Sequence, residues 1–222
     1  MCYLCLMPLH THKDINEHSL LVVWEIEETV DWFLSQLHLD DEEKEKYNGF
    51  RTDQRRAHWL AYRYILKNIV GKGNDIRVRY DEHNKPFIDL SDDHISVSHS
   101  GKYASVILSK QHPVGVDIEK LTPRLHRIAE KFLTKEETGK DVNSMDIEDL
   151  CLHWCAKEAL YKLFGERNLD FRDHMQVLDP PDQMEGSFKG VIRSGGKEHI
   201  YELRSEKIED YCLVYVAGPP QK

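Results

Sequence analysis

The sequence predicts an α+β protein made of two α+β halves, residues 1–110 and 111–222, on three observations. Short β-branched or alternating apolar runs mark strands at residues 19–25, 75–80, 94–98, 103–108 and 114–119. Helix-period apolar residues mark long amphipathic segments at 52–69 and 146–164. Both halves place helices between strands, with a division near residues 109–113. An undivided α+β domain gives the same order of elements, and no internal identity decides between the two.

The first strand is read at residues 19–25, which include Val22 and Val23. Residues 28–37 follow with Val30, Phe33, Leu34 and Leu37 at helical spacing, and a charged element starts near Asp41 and runs to Tyr47. After Gly49, residues 52–69 carry Trp59, Leu60, Tyr62, Ile65 and Leu66 on one side, with Arg51, Arg55, Arg56, Arg63 and Lys67 read as its solvated face. Gly71 and Gly73 end it. Ile76, Val78 and Tyr80 alternate with polar residues as in a half-buried strand, and Asn84, Lys85 and Pro86 form a turn before a short run to Ile88. Strands at 94–98 and 103–108 flank a hairpin connection through Ser100, Gly101 and Lys102, and a third strand covers 114–119. Residues 124–132 and 146–164 are read as helices, the second closed by Gly165. Strands are expected at 175–178, 184–192, 199–204 and 210–217, with a turn at Gly195 and Gly196.

Composition excludes several classes. Apolar residues form 40% and charged residues 31% of the chain, as in an ordinary globular protein. The net charge of -9 argues against a non-specific nucleic-acid coat. No apolar run is long enough to span a bilayer, and no basic, apolar leader is seen, so a cytoplasmic protein is expected. Cys2, Cys5, Cys151, Cys155 and Cys212 are an odd, dispersed set that reads as reduced thiols rather than as a zinc site.

Three segments carry chemistry. In Gly115-Val116-Asp117-Ile118-Glu119, strand alternation puts both carboxylates on one face, a candidate site for a hard cation such as magnesium, or else a solvated strand rim. In Trp154-Cys155-Ala156-Lys157-Glu158-Ala159-Leu160-Tyr161-Lys162, Glu158 and Lys162 share a helix face. They read as a metal ligand and a phosphate contact, or as a surface ion pair. In His94-Ile95-Ser96-Val97-Ser98-His99-Ser100-Gly101, Ser98 and His99 stand at a strand end suited to phosphate contacts. A Ser/His hydrolase is the competing chemistry, but there is neither a Gly-x-Ser-x-Gly elbow nor a clear partner acid.

Together these segments resemble the broad-specificity 4'-phosphopantetheinyl transferases of the surfactin-synthetase-activating type. The residues from Gly115 to Glu119 and from Trp154 to Lys162 match the two family signatures in order, and Ser98-His99 lies where the family carries its Ser-His contact. Asn84-Lys85-Pro86 resembles a Gly-Lys-Pro turn, with Asn84 in place of glycine. Weaker similarity extends to residues 51–62 and 127–137. The resemblance implies a monomer of two similar α/β subdomains related by a pseudo-twofold axis, with coenzyme A held between them. It implies Asp117, Glu119 and Glu158 as Mg2+ ligands, with Asp117, Glu158 and Lys162 in catalytic roles. It also implies Arg51, Lys85, Ser98, His99, Lys157 and Lys162 as coenzyme A contacts, and apo acyl or peptidyl carrier proteins as partners, with no nucleic acid and no membrane. Docking of an acidic carrier on an acidic enzyme calls for a local basic or apolar patch, to which residues 124–137 contribute. One departure stands out: where the family has Lys-x-x-Gly-x-Gly, this chain has Lys162-Leu163-Phe164-Gly165-Glu166-Arg167.

Overall fold

A computed structural model describes residues 9–71, 76–82, 84–139, 142–165 and 169–221. Cys2, Cys5, Gly73, Asp75, Glu166 and Arg167 lie outside the described residues. The first half runs through β1 (Leu9–Asn16), β2 (Ser19–Glu25), α1 (Val30–Gln36), α2 (Asp41–Asn48), α3 (Asp53–Tyr64), β3 (Val78–Tyr80), β4 (Pro86–Ile88), β5 (His94–Ser100) and β6 (Tyr103–Ser109). The second contains β7 (Val114–Lys120), α4 (Lys135–Thr138), α5 (Ile147–Phe164), β8 (Met175–Leu178), β9 (Gly186–Ser194), β10 (Lys197–Ile208) and β11 (Tyr211–Ala217).

The protein is α+β. One antiparallel sheet has the order β1-β2-β6-β5 and the other β7-β11-β10-β9-β8, while β3 and β4 form a separate ribbon. The two sheets share a wiring. In each, an early strand (β2 or β7) pairs antiparallel with the last strand (β6 or β11), which pairs in turn with its predecessor (β5 or β10). In each, the connection between the early strand and its partners contains the helix that covers one face of the sheet.

Strand alternation sorts the apolar residues into three cores. Val22 and Trp24 of β2 face Trp59 and Leu60 of α3 and Leu66 in the turn that continues it. Cys212, Val214 and Val216 of β11 face α5 with Cys155, Ala159 and Leu160. The remaining faces, with Leu21, Val23, Val116, Ile118, Leu213 and Tyr215, pack against each other between the sheets. The result is helix, sheet, sheet, helix, with each layer boundary made by residues of one parity.

Local chemistry explains the helix ends. Thr52 caps α3 by accepting from the Arg55 amide, and Asp40 and Glu43 form a capping box on α2. The helix expected over 52–69 continues beyond Tyr64 as a wider π turn over Ile65–Val70, ended at Gly71. Gly165 closes α5 in the left-handed region at φ 76. The segment at Pro123–Lys131 is a 3-10 helix.

Two features depart from the sequence reading. A strand, β1, precedes the one expected first. Arg63 does not belong to a solvated face: it is fully buried, with Nε donating to Glu43 Oε1 at 3.1 Å and the guanidinium stacked 3.4 Å from the Trp59 ring. A buried guanidinium needs such partners, and Glu43 and Lys67 complete the network. Among the described residues, no helix is long and apolar enough to cross a membrane.

Candidate active site

Strands β5 and β7 are the facing edges of the two sheets, and they run in the same direction joined by serine hydroxyls. The Val116 amide donates to Ser96 Oγ at 3.1 Å, Ser98 Oγ donates to Asp117 Oδ1 at 2.6 Å, and Ser100 Oγ donates to Glu119 Oε2 at 2.8 Å. The next residue of each strand has the opposite orientation. Ser96, Ser98 and Ser100 therefore reach β7, while Ile95, Val97 and His99 turn to the other side.

On the other side of β7 lies α5, and their close approach depends on Gly115. A Cβ there would fall 1.9 Å from the Ala159 carbonyl oxygen. With no side chain at Gly115, α5 settles onto the strand, and Glu158 and Lys162 come beside Asp117. The Lys162 ammonium donates to Asp117 Oδ1 at 2.7 Å and to the Val116 carbonyl at 3.1 Å. Asp117 is 4% exposed, and its Oδ2 is buried with no hydrogen-bond partner.

Three carboxylates this close under partial burial repel one another. Burial, then the negative charge of Asp117, pushes Glu158 up to about 7, with Glu119 adding to the shift and Lys162 opposing it. Burial and the Asp117 charge also raise Glu119, against the hydrogen bond from Ser100. A partnerless buried carboxylate oxygen flanked by two acids held above their usual range suits a hard divalent cation. Asp117, Glu119 and Glu158 offer oxygen donors of that kind, but their ligand atoms do not all converge within 4.8 Å of one another in this structure.

Beside this cluster is a cleft of about 450 Å³ lined from both halves, by Arg55, Lys85, Val97 and His99 on one side and Tyr161, Lys162 and Gly165 on the other. The Arg55 guanidinium donates to His99 Nε2 at 2.8 Å, so the proton of the neutral His99 ring sits on Nδ1. His58 stacks on His99 with ring centroids 4.4 Å apart and donates from Nε2 to the Gly101 carbonyl at 2.7 Å. Burial first, then His58, Arg55 and Lys162, holds His99 down to about 3. Lys85 reaches the cleft from a turn anchored by its amide on Asp81 Oδ1 at 2.8 Å, and burial lowers its ammonium. Asn84, before it, has φ 60, a left-handed conformation that asparagine tolerates best after glycine. The far wall is Trp59, Tyr62 and Tyr80, whose hydroxyls are tied to each other and to Arg63, with Lys46 over the Tyr80 ring at 3.1 Å.

The structure brings together Asp117, Glu119, Glu158 and Lys162, and places Lys85 and His99 in the adjoining cleft. Three expected contacts sit elsewhere. Ser98 is buried and its hydroxyl serves Asp117, which also separates it from His99 and removes the Ser/His hydrolase pairing. Lys157 is fully buried, its ammonium donating to the Phe132 carbonyl at 2.6 Å and to Glu137 Oε2 at 2.8 Å. Arg51 is exposed outside the cleft lining, and Arg55, one turn along, is the arginine that enters it. Arg55, His58 and the Tyr62–Tyr80 pair were not singled out by motif. The helical spacing of Arg55 and Trp59 was the available signal.

Residues 113–216, which span β7, α5 and the rest of the second sheet, match the model of the 4'-phosphopantetheinyl transferase superfamily. The match covers just under half of the chain. The chain is 31% identical over 150 residues to 4'-phosphopantetheinyl transferase Sfp of Bacillus subtilis, covering 58% of this chain and 66% of that protein. It is 32% identical over 111 residues to 4'-phosphopantetheinyl transferase gsp of Aneurinibacillus migulanus, covering 48% and 46%. A longer match, 25% identical over 215 residues, covers 84% of this chain and 69% of the L-aminoadipate-semialdehyde dehydrogenase-phosphopantetheinyl transferase of Mus musculus. The chain spans less than two thirds of the length of either bacterial relative. The superfamily segment includes the whole acidic cluster, whereas Arg55, Lys85 and His99 come from the half before it.

Proposed function

We propose that this protein is a magnesium-dependent 4'-phosphopantetheinyl transferase, moving the phosphopantetheine arm of coenzyme A to a serine of an apo acyl or peptidyl carrier protein and releasing adenosine 3',5'-bisphosphate. The observation that carries this reading is the position of the superfamily segment. It contains Asp117, Glu119 and Glu158 together with Lys162, which reaches from them into a cleft also lined by Arg55, Lys85 and His99. A diphosphate with an attached nucleotide needs that combination of acids for a cation and bases for phosphate. In this reading residues 1–110 and 111–222 act as two subdomains sharing one substrate, in a cytoplasmic monomer of broad carrier specificity.

Magnesium held by Asp117, Glu119 and Glu158 supplies charge neutralisation at the diphosphate when bound. Lys162, extending from α5 past Asp117, stabilises charge that builds up on the bridging oxygen as the bond to the departing nucleotide breaks. Arg55 and Lys85 hold phosphate oxygens, and His99 donates from Nδ1. Glu158, directly or through an ordered water, takes the proton from the carrier serine as its oxygen attacks the phosphorus next to pantetheine, with Glu119 as the alternative base. The tie of Ser98 to Asp117 keeps that carboxylate from turning away.

The decisive experiment is intact-protein mass spectrometry of several apo carrier proteins after incubation with this protein, coenzyme A and magnesium, with Asp117→Ala alongside. A phosphopantetheine mass gain that needs magnesium and fails with Asp117→Ala is expected. Nucleotide or phosphate release without a carrier adduct indicates a phosphohydrolase, and coenzyme A binding without any product indicates a silent binder; either overturns the reading.

A further inference from the structure

Behind the acidic cluster, in the apolar core under α5, three thiols converge. Cys151 and Cys155 stand one turn apart on α5, and Cys212 faces them from β11. All three are 0% exposed and none is in a disulfide. Their sulfurs all lie within 4.8 Å of one another, and among the described residues this is the one such group of three metal-ligating side chains. Cys151 donates to the Glu119 carbonyl at 3.7 Å and Cys155 to the Cys212 carbonyl at 3.6 Å, and the three thiols also face one another.

We propose that Cys151, Cys155 and Cys212 form a binding site for a trivalent thiophilic centre, with arsenite as its simplest ligand. Bonds of about 2.3 Å, a metal–thiolate length, from one centre hold three sulfurs within about 4 Å of one another, and the sulfurs here lie within 4.8 Å. Charge selects the valence. A monovalent or divalent cation on three thiolates leaves net negative charge in a dry core, one strand from the Asp117 and Glu119 carboxylates, and low-dielectric surroundings penalise it. A trivalent centre leaves none. Arsenite enters as the uncharged trihydroxide; three As–S bonds replace three As–O bonds, and each thiol proton leaves with a hydroxide as water. The oxidation state of arsenic and sulfur is unchanged, so no oxidant or reductant is needed. This site is separate from the cleft and does not depend on the activity proposed for it.

The test uses the full chain with Cys2→Ser and Cys5→Ser, reduced, treated with arsenite and challenged with excess glutathione. Native mass spectrometry is expected to show one arsenic retained per chain, with a mass gain of arsenic less three hydrogens. Cys151→Ala, Cys155→Ala and Cys212→Ala, each checked for folding by circular dichroism, are each expected to lower retention about tenfold or more. Arsenic-edge X-ray absorption on the parent chain, which needs no core substitution, is expected to count three sulfur neighbours. Failure to retain arsenic, two or fewer sulfurs around it, or unchanged retention in any folded single variant overturns the proposal and leaves the cysteines as small apolar packing residues.

Discussion

Lys162 and Asp117 are joined by a 2.7 Å hydrogen bond at one carboxylate oxygen, while the other oxygen of Asp117 is buried and has no partner. The ammonium on α5 thus serves one oxygen of the carboxylate, while the other is left without a hydrogen-bond donor. Lys162→Ala is expected to lower kcat/KM for carrier modification by about 10²–10³-fold, the range for loss of one positioned donor at a developing charge. Lys162→Arg, whose planar fork cannot reproduce the single-point contact, should recover little of it. Steady-state kinetics on a purified apo carrier, with coenzyme A saturating, check both.

His99 ties the cleft to acid stability. Its folded value, held down to about 3 by burial and neighbouring positive groups, lies well below the ordinary 6.5. Between those two values the unfolded chain binds a proton at this position that the folded chain refuses, so stability falls as pH drops from about 6.5 toward about 3. Imidazole NMR of the free protein is expected to show His99 neutral, with its proton on Nδ1, throughout pH 5–8. A ring that titrates near 6.5 contradicts the burial and the Arg55 contact.

Lys157 separates structure from binding. Its ammonium is held by Glu137 and the Phe132 carbonyl in the core, and Glu137 also accepts from the Thr134 and Val177 amides. Lys157→Met leaves that carboxylate without its cation and is expected to cost about 3–5 kcal/mol of stability, with KM for coenzyme A unchanged at a temperature where the variant is folded. Urea titration and kinetics together decide it; a raised KM with unchanged stability restores Lys157 to the cleft.

Gly115→Ala asks whether α5 must touch β7. The added methyl meets the Ala159 carbonyl, a backbone atom that cannot rotate away. A loss of about 3 kcal/mol is expected, together with a loss of activity at temperatures where the variant remains folded, because Glu158 and Lys162 retreat with the helix. Denaturation and carrier assays on the same preparation test the two effects.

Much of the framework was legible in residue spacing. Alternation in β7 announced one face for Asp117 and Glu119, and the spacing of Glu158 and Lys162 announced one helix face. The same alternation rule also carried information that motif matching passed over: Ser98 and His99 are neighbours on a strand, so they point to opposite sides, one to Asp117 and one to the cleft. Lys157 likewise precedes Glu158 on a helix and is turned about 100° away from it, into the core. What spacing could not supply was the partner. The buried state of Arg63 depends on Glu43, twenty residues earlier, and the strand β1 alternates only weakly in apolar character, with Lys13 and Thr11 among its inward residues.

The hydroxyl seam between β5 and β7 has a further consequence. Had the two edges zipped through peptide groups, every change at the junction would have disturbed a ladder shared by both sheets. Side-chain oxygens instead make the junction a matter of residue identity, with Ser96 and Ser100 also accepting from the Val116 and Lys120 amides of β7. The pose of the Asp117 and Glu119 carboxylates thus rests on two hydroxyl groups, those of Ser98 and Ser100, rather than on a peptide ladder running through both sheets.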